Sequence, residues 1–205
     1  MHALRLHTRS WQLAIAVLIS GMTALLAGQA QANAIERLFA PRAESWPFWD
    51  SSNGDSTAVV DHGRWDRFLK TYTVAGDDGI NRVQYAGVSS ADRQHLEQYI
   101  DDLQQLPIRD YNAAQQLAYW INLYNALTVQ LVLQHYPVDS IRDIDISPGF
   151  FADGPWGKRL LNIEGQALSL NDIEHRILRP RWQDPRLHYA LNCASLGCPN
   201  LQPAA

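Results

Sequence analysis

A helix-dominated α+β single domain, built around one long buried helix with a small sheet, is the fold that this 205-residue chain predicts. Three observations lead to it. The segment from Asn112 to Tyr136, NAAQQLAYWINLYNALTVQLVLQHY, is apolar on nearly every face, which marks a buried central helix. Shorter segments with helical spacing flank it on both sides. The stretches NRVQYAGV and RLLNIEGQALSL alternate enough to be short strands. Hydrophobic residues make up 46% of the chain, with seven Trp and eight Tyr, so a packed core is within reach and a disordered chain is excluded.

Residues 1–32 have the layout of a secretory signal peptide. Arg5 and Arg9 form a positive start, Trp11 to Ala27 is mostly apolar, and Ala30-Gln31-Ala32 offers small residues for cleavage. Gln12, Ser20, Gly21 and Thr23 interrupt the apolar run, which falls short of the ~20 residues of a spanning helix. The expectation is export to the periplasm or beyond, with membrane contact only through the signal. No cysteine sits at the cleavage point, so no lipid anchor is expected.

Residues 33–59 read as an extended lead-in rich in turn formers. Its Trp46, Phe48 and Trp49 are expected either to dock on the domain or to form a contact surface for a partner. The domain is expected over residues 60–201. RWDRFLKTY places Trp65, Phe68 and Leu69 at helical spacing. Ser89 or Ser90 caps an amphipathic helix that runs to about Leu106, with Leu96, Ile100 and Leu103 facing inward. Pro137 ends the central helix. Gln115, Gln116, Asn122, Asn125 and Gln130 break its apolar run, so it does not read as a membrane span. SPGFFADGPWGKR is a loop, and two short strands surround Glu164-Gly165. In SLNDIEHRILR, Ser169 and Asp172 resemble a capping box at the start of a helix. Asp184-Pro185 is a good helix start; Leu187, Tyr189, Leu191 and Cys193 also alternate like a strand, and the cap favours helix.

The formal net charge of −4, with no basic run anywhere, argues against a nucleic-acid partner. The chemistry-bearing residues cluster late in the chain. Glu174 lies within the apolar stripe of its helix, formed by Leu170, Ile173, Ile177 and Leu178, and His175 lies at its edge. A carboxylate facing a core is costly unless paired, so Glu174 either serves a site or pairs with a base such as Lys158 or Arg159. Asn122 and Asn125 share a face of the central helix. Asn125 either orients a catalytic group or clamps a neighbouring loop. Cys193 and Cys198, with His188 close by, leave three roles open. They can pair in an oxidising compartment, they can join His175 and His188 around a metal, or Cys193 can be a nucleophile activated by His175. The C-x4-C spacing lacks the usual zinc pattern, and no metal or cofactor is expected.

The blocks AYWINLYNALTV, LSLNDIEHRILR and DPRLHYALNCASLGCPNL resemble, in order, those of the uncharacterised family called domain of unknown function 547. The resemblance covers roughly Val60 to Leu201. It implies relatives that are exported in bacteria and built into larger proteins in plants and animals, with no established activity. It also implies that the positions of Trp120, Asn122, Tyr124, Asn125, Glu174, His175, His188 and Cys193 are kept, whereas that of Cys198 varies. Bacterial relatives continue past the CP block, so the resemblance further implies a chain truncated after LQPAA.

Two function classes follow. One is a cysteine-dependent hydrolase or acyl transferase acting on an amide or peptide, with Cys193 as nucleophile, His175 as base and Glu174 or Asn125 as its orienter; His188 completes the candidate site. The other is a non-catalytic envelope module that binds a partner. A thiol-disulfide protein is a third reading, disfavoured because redox pairs usually have two intervening residues. The expected ligand is an unidentified small molecule or peptide, and the sequence is silent on oligomeric state.

Overall fold

The computed structural model describes residues 44–149, 154–195 and 197–205, so the signal peptide expected over residues 1–32 and the first part of the lead-in lie outside the described residues. The architecture is helix-dominated α+β. Helix α1, Gly63–Tyr72, buries Trp65, Phe68, Leu69 and Tyr72. It runs into β1, Thr73–Ala75, which pairs antiparallel with β2, Asn81–Val83. Helix α2, Ser90–Gln104, starts where the Ser89 side chain accepts the Asp92 N–H. Helix α3, Ala113–His135, starts the same way, with Asn112 accepting the Gln115 N–H. An N-cap side chain of this kind satisfies one of the backbone donors that a helix start leaves unpaired.

The expected small sheet is two separate two-stranded hairpins. The second joins β3, Leu161–Ile163, to β4, Gln166–Leu168. Its turn residues Glu164 and Gly165 both have positive φ, 46° and 76°. Such a two-residue turn matches strand twist, and it closes each three-residue strand on its neighbour rather than on a wider sheet.

The core forms around α3. Tyr119, Trp120, Leu123, Tyr124, Leu127 and Leu131 are all buried. The described part of the aromatic lead-in docks on this core. Trp49, in the 3-10 turn Pro47–Trp49, is 1% exposed and meets Trp120 edge-on with ring centroids 5.0 Å apart. Phe48 and Trp46 lie half-buried beside it, with the Arg109 and Arg176 guanidiniums stacked over their rings. Leu187, Leu191 and Leu201 bring the last part of the chain into the same cluster.

The Ser169–Asp172 capping box is present. Asp172 Oδ2 accepts the Ser169 N–H at 2.9 Å, and Ser169 Oγ accepts the Asp172 N–H at 3.1 Å. The helix that follows winds as a π-helix over Asp172–Leu178 and then continues as α4, Arg179–Trp182. Burial by itself would push the Asp172 carboxyl up. The Ser169 hydroxyl and N–H and the Arg176 guanidinium outweigh burial, so the group sits below the ordinary Asp range. The last helical turn expected from Asp184-Pro185 is α5, Leu187–Ala190, four residues long.

Two predictions follow from this packing. Trp49→Ala leaves a large void beside Trp120 and is expected to cost about 3–5 kcal/mol in urea unfolding. Because the folded pKa of Asp172 is depressed, its stabilising share is complete above the unfolded value of about 3.9 and is lost as pH falls through the folded one. Unfolding free energies measured from pH 6 down to pH 3 are therefore expected to fall more steeply for the natural chain than for Asp172→Asn.

Candidate functional site

The residues singled out by sequence fall on three elements: α3 carries Asn125, the π-helix carries Glu174 and His175, and α5 with the following loop carries His188 and Cys193. Asn125 joins α3 to the loop. Its Nδ2 donates to the Ala190 carbonyl at 2.9 Å, and its Oδ1 accepts the Asn192 N–H at 2.9 Å. One partner can only accept and the other can only donate, so the amide orientation is fixed by the network. The side chain caps α5 at the residue where the backbone turns extended, which is why the helix expected there stops after four residues.

Glu174, on the π-helix, meets Tyr124, the residue before Asn125 on α3. Its Oε2 accepts the Tyr124 hydroxyl at 3.1 Å, and its Oε1 accepts Arg179 Nη2 at 2.6 Å and Nε at 3.0 Å. The Glu174 side chain is 16% exposed, so the inward carboxylate expected from the stripe is real, and Arg179 pairs it rather than Lys158 or Arg159. The π-helix makes this pairing. Residues five apart lie about 140° apart on an α-helix but come nearly into line when hydrogen bonds run from i to i+5. The Arg179 N–H donates to the Glu174 carbonyl in that pattern. Burial first, then the Glu174 charge, pushes the Tyr124 hydroxyl well up, so it stays a protonated donor.

The cysteines are joined. A disulfide links Cys193 and Cys198, with their Cα atoms 6.0 Å apart. Cys193 is therefore not a free thiol in this structure. His175 is half-buried and makes no hydrogen bond or ion pair among the described residues. His188 is exposed and, among the described residues, meets the Tyr189 ring edge-on, centroids 5.5 Å apart. The structure thus places Asn125 on α3 and bonds Glu174 of the π-helix to Tyr124, the preceding residue of α3. No hydrogen bond joins either histidine to a cysteine among the described residues. Among those residues no group of three or more His, Cys, Asp or Glu is placed to hold a metal.

The loop instead forms one wall of a cavity of about 300 Å³. Asn192, Ala194, Ser195, Cys198 and Leu201 line that wall, and Ile80 to Val83 with Tyr85 line the other. Two asparagines tie the walls together through three hydrogen bonds. Asn200 Oδ1 accepts the Asn81 N–H at 2.9 Å, Asn200 Nδ2 donates to the Gly79 carbonyl at 2.8 Å, and Asn81 Nδ2 donates to the Leu201 carbonyl at 2.9 Å. Asn192 holds the loop's own shape, donating to the Pro199 carbonyl at 2.7 Å and accepting the Ala194 N–H at 2.9 Å. Burial pushes the Tyr85 hydroxyl up to about 12, so it is neutral. Sequence reasoning missed the cavity, because its walls are more than 100 residues apart in the chain.

Residues 108–205 match the family described as "Protein of unknown function, DUF547". That stretch of the chain belongs to the DUF547 family. The match takes in α3, the Glu174-His175 helix, the disulfide and one wall of the cavity. No curated protein and no solved structure matches the chain.

Removing the Asn125 clamp tests its structural weight. Asn125→Ala leaves the Ala190 carbonyl and the Asn192 N–H unsatisfied and is expected to cost about 2–4 kcal/mol in urea unfolding. Asn125→Asp keeps an acceptor for Asn192 but turns a carboxylate toward the Ala190 carbonyl. It is expected to be no more stable than the alanine variant at pH 7.

Proposed function

We propose that this DUF547 chain is an exported, non-catalytic binding module of the cell envelope, and that the cavity between β2 and the disulfide loop is its binding site. The disulfide carries the reading. A thiol enzyme needs a free thiolate with an imidazole in reach. Here both sulfurs are bonded to each other. The supporting groups are committed as well, Asn125 to two backbone partners and Glu174 to Arg179 and Tyr124. A disulfide persists in oxidising compartments, which agrees with export through residues 1–32. The cavity, about 300 Å³, lies at the small end of the range that holds a compact ligand.

A cysteine-dependent hydrolase or acyl transferase is the second reading, and one observation favours it: His175 lies beside a paired Glu174 with no hydrogen-bond partner of its own among the described residues. That chemistry requires the Cys193–Cys198 bond to be reduced first. Iodoacetamide labelling of the purified oxidised protein, read by intact mass, separates the two. The binding reading expects no adduct without reductant and two adducts after reduction and unfolding. Rapid single labelling at Cys193 without reductant, faster than a free model thiol, would overturn it in favour of the thiol enzyme.

A further inference from the structure

The cavity's β2 wall has a directional feature that narrows its ligand. In the β1–β2 pair, the Gly76 N–H donates to the Ile80 carbonyl and the Gln84 N–H donates to the Tyr72 carbonyl, both at 2.9 Å. The register pairs Val74 with Arg82, between those two points. Antiparallel ladders alternate, so residues 80, 82 and 84 turn their backbone groups toward β1. Asn81 and Val83 therefore turn theirs outward, along the free edge of the hairpin. The Asn81 N–H confirms this direction, because it reaches away from β1 to Asn200.

The outer edge is only half covered. Asn200 takes the Asn81 N–H. The Asn81 carbonyl and both the N–H and the carbonyl of Val83 have no hydrogen-bond partner among the described residues. Proteins usually cover or blunt such an edge, since it is a template for a further strand. The Asn192 and Asn200 amides and the Arg82 guanidinium, which also line the cavity, are already spent. Both ends of the Asn192 and Asn200 amides are bonded within the chain, and Arg82 is held by Asp78 at 2.6 Å. What remains is one donor flanked by two acceptors at the spacing of a peptide backbone. Beside them lies an apolar recess formed by Ile80, Val83, Ala194 and Leu201, with the Tyr85 hydroxyl unbonded among the described residues.

We infer that the ligand of this cavity is an extended peptide, which adds as a third strand along the outer edge of β2 at Val83 and places one uncharged side chain in the recess. This rests on the binding-module reading above and specifies its ligand class. Strand addition of this kind takes affinity from main-chain hydrogen bonds and selectivity from a side-chain pocket. A nucleic acid is disfavoured by the chain's net charge of −4.

The test uses a displayed pool of random heptapeptides selected against the oxidised protein. The tightest binder is then resynthesised with each backbone amide N-methylated in turn, and affinities are measured by calorimetry. Strand addition expects N-methylation at one or two alternating positions to weaken binding about tenfold or more, the loss of one hydrogen bond, with little effect between them. It also expects the Val83 amide to shift in nitrogen-15 spectra. Val83→Pro removes the outward N–H without taking a rung from the β1 ladder, and it is expected to weaken binding by a similar factor while Val83→Ile does not. If Val83→Pro fails to fold, the N-methyl scan on the unaltered protein decides alone. Binding that is abolished by filling the recess with Ala194→Phe, yet is indifferent to N-methylation, overturns strand addition and leaves the cavity as a binding site. A pool that yields no binder overturns the peptide ligand; if a small-molecule fragment set also fails to shift the cavity amides, the binding-module reading falls with it.

Discussion

The Asn125 side chain is the contact on which the late part of the chain depends. One buried amide holds the carbonyl that ends α5 and the N–H that begins the following loop. Without it, both groups would be left unsatisfied next to the core, a cost of about 1–3 kcal/mol each. With it, Leu191 and Leu201 can reach the core while the disulfide between them stays at the rim. The clamp therefore converts a helix face into the fixed wall of a cavity. Rigid α3 supplies the position, and the loop supplies the surface.

A second constraint acts one residue away. The π-helix turns Glu174 and Arg179 into neighbours and points their ion pair at Tyr124. A carboxylate in this place would be costly alone; paired and hydrogen-bonded, it is tolerated. Because Tyr124 and Asn125 are consecutive on α3, the π-helix and the cysteine loop are held by adjacent side chains of one helix. Electrostatic pairing on one side and backbone capping on the other occupy the polar groups here, and His175 is the one without a hydrogen bond or ion pair among the described residues.

Much of the fold was legible in the sequence. The extent of α3 follows from its all-round apolar pattern, the Asn112 cap and Pro137. The starts at Ser89 and Ser169 follow from capping residues three positions ahead of an acid, and the β3–β4 turn from Glu164-Gly165. The parts that were not legible share a cause. Trp49 sits in a stretch with no period, so nothing local told a buried anchor from a surface aromatic. The Glu174–Arg179 pair needs a five-residue repeat that a 3.6-residue reading places on different faces. At the candidate site, the roles of the residues that sequence singles out depend on partners far away in the chain. Asn125 reads equally as an orienter or a clamp until Ala190 and Asn192 are seen beside it. The cavity needs β2 and the loop after residue 190 together, and no spacing in the sequence joins them.

The most direct measurement of the central claim is hydrogen exchange at the Asn192 amide in the oxidised protein, resolved by residue. If Asn125 fixes the loop as a permanent wall, this N–H exchanges with protection close to that of the α3 amides around it, although it belongs to no helix or strand. Exchange at the rate of an unstructured peptide would contradict the account: the loop would then open freely, and the cavity would have no fixed second wall.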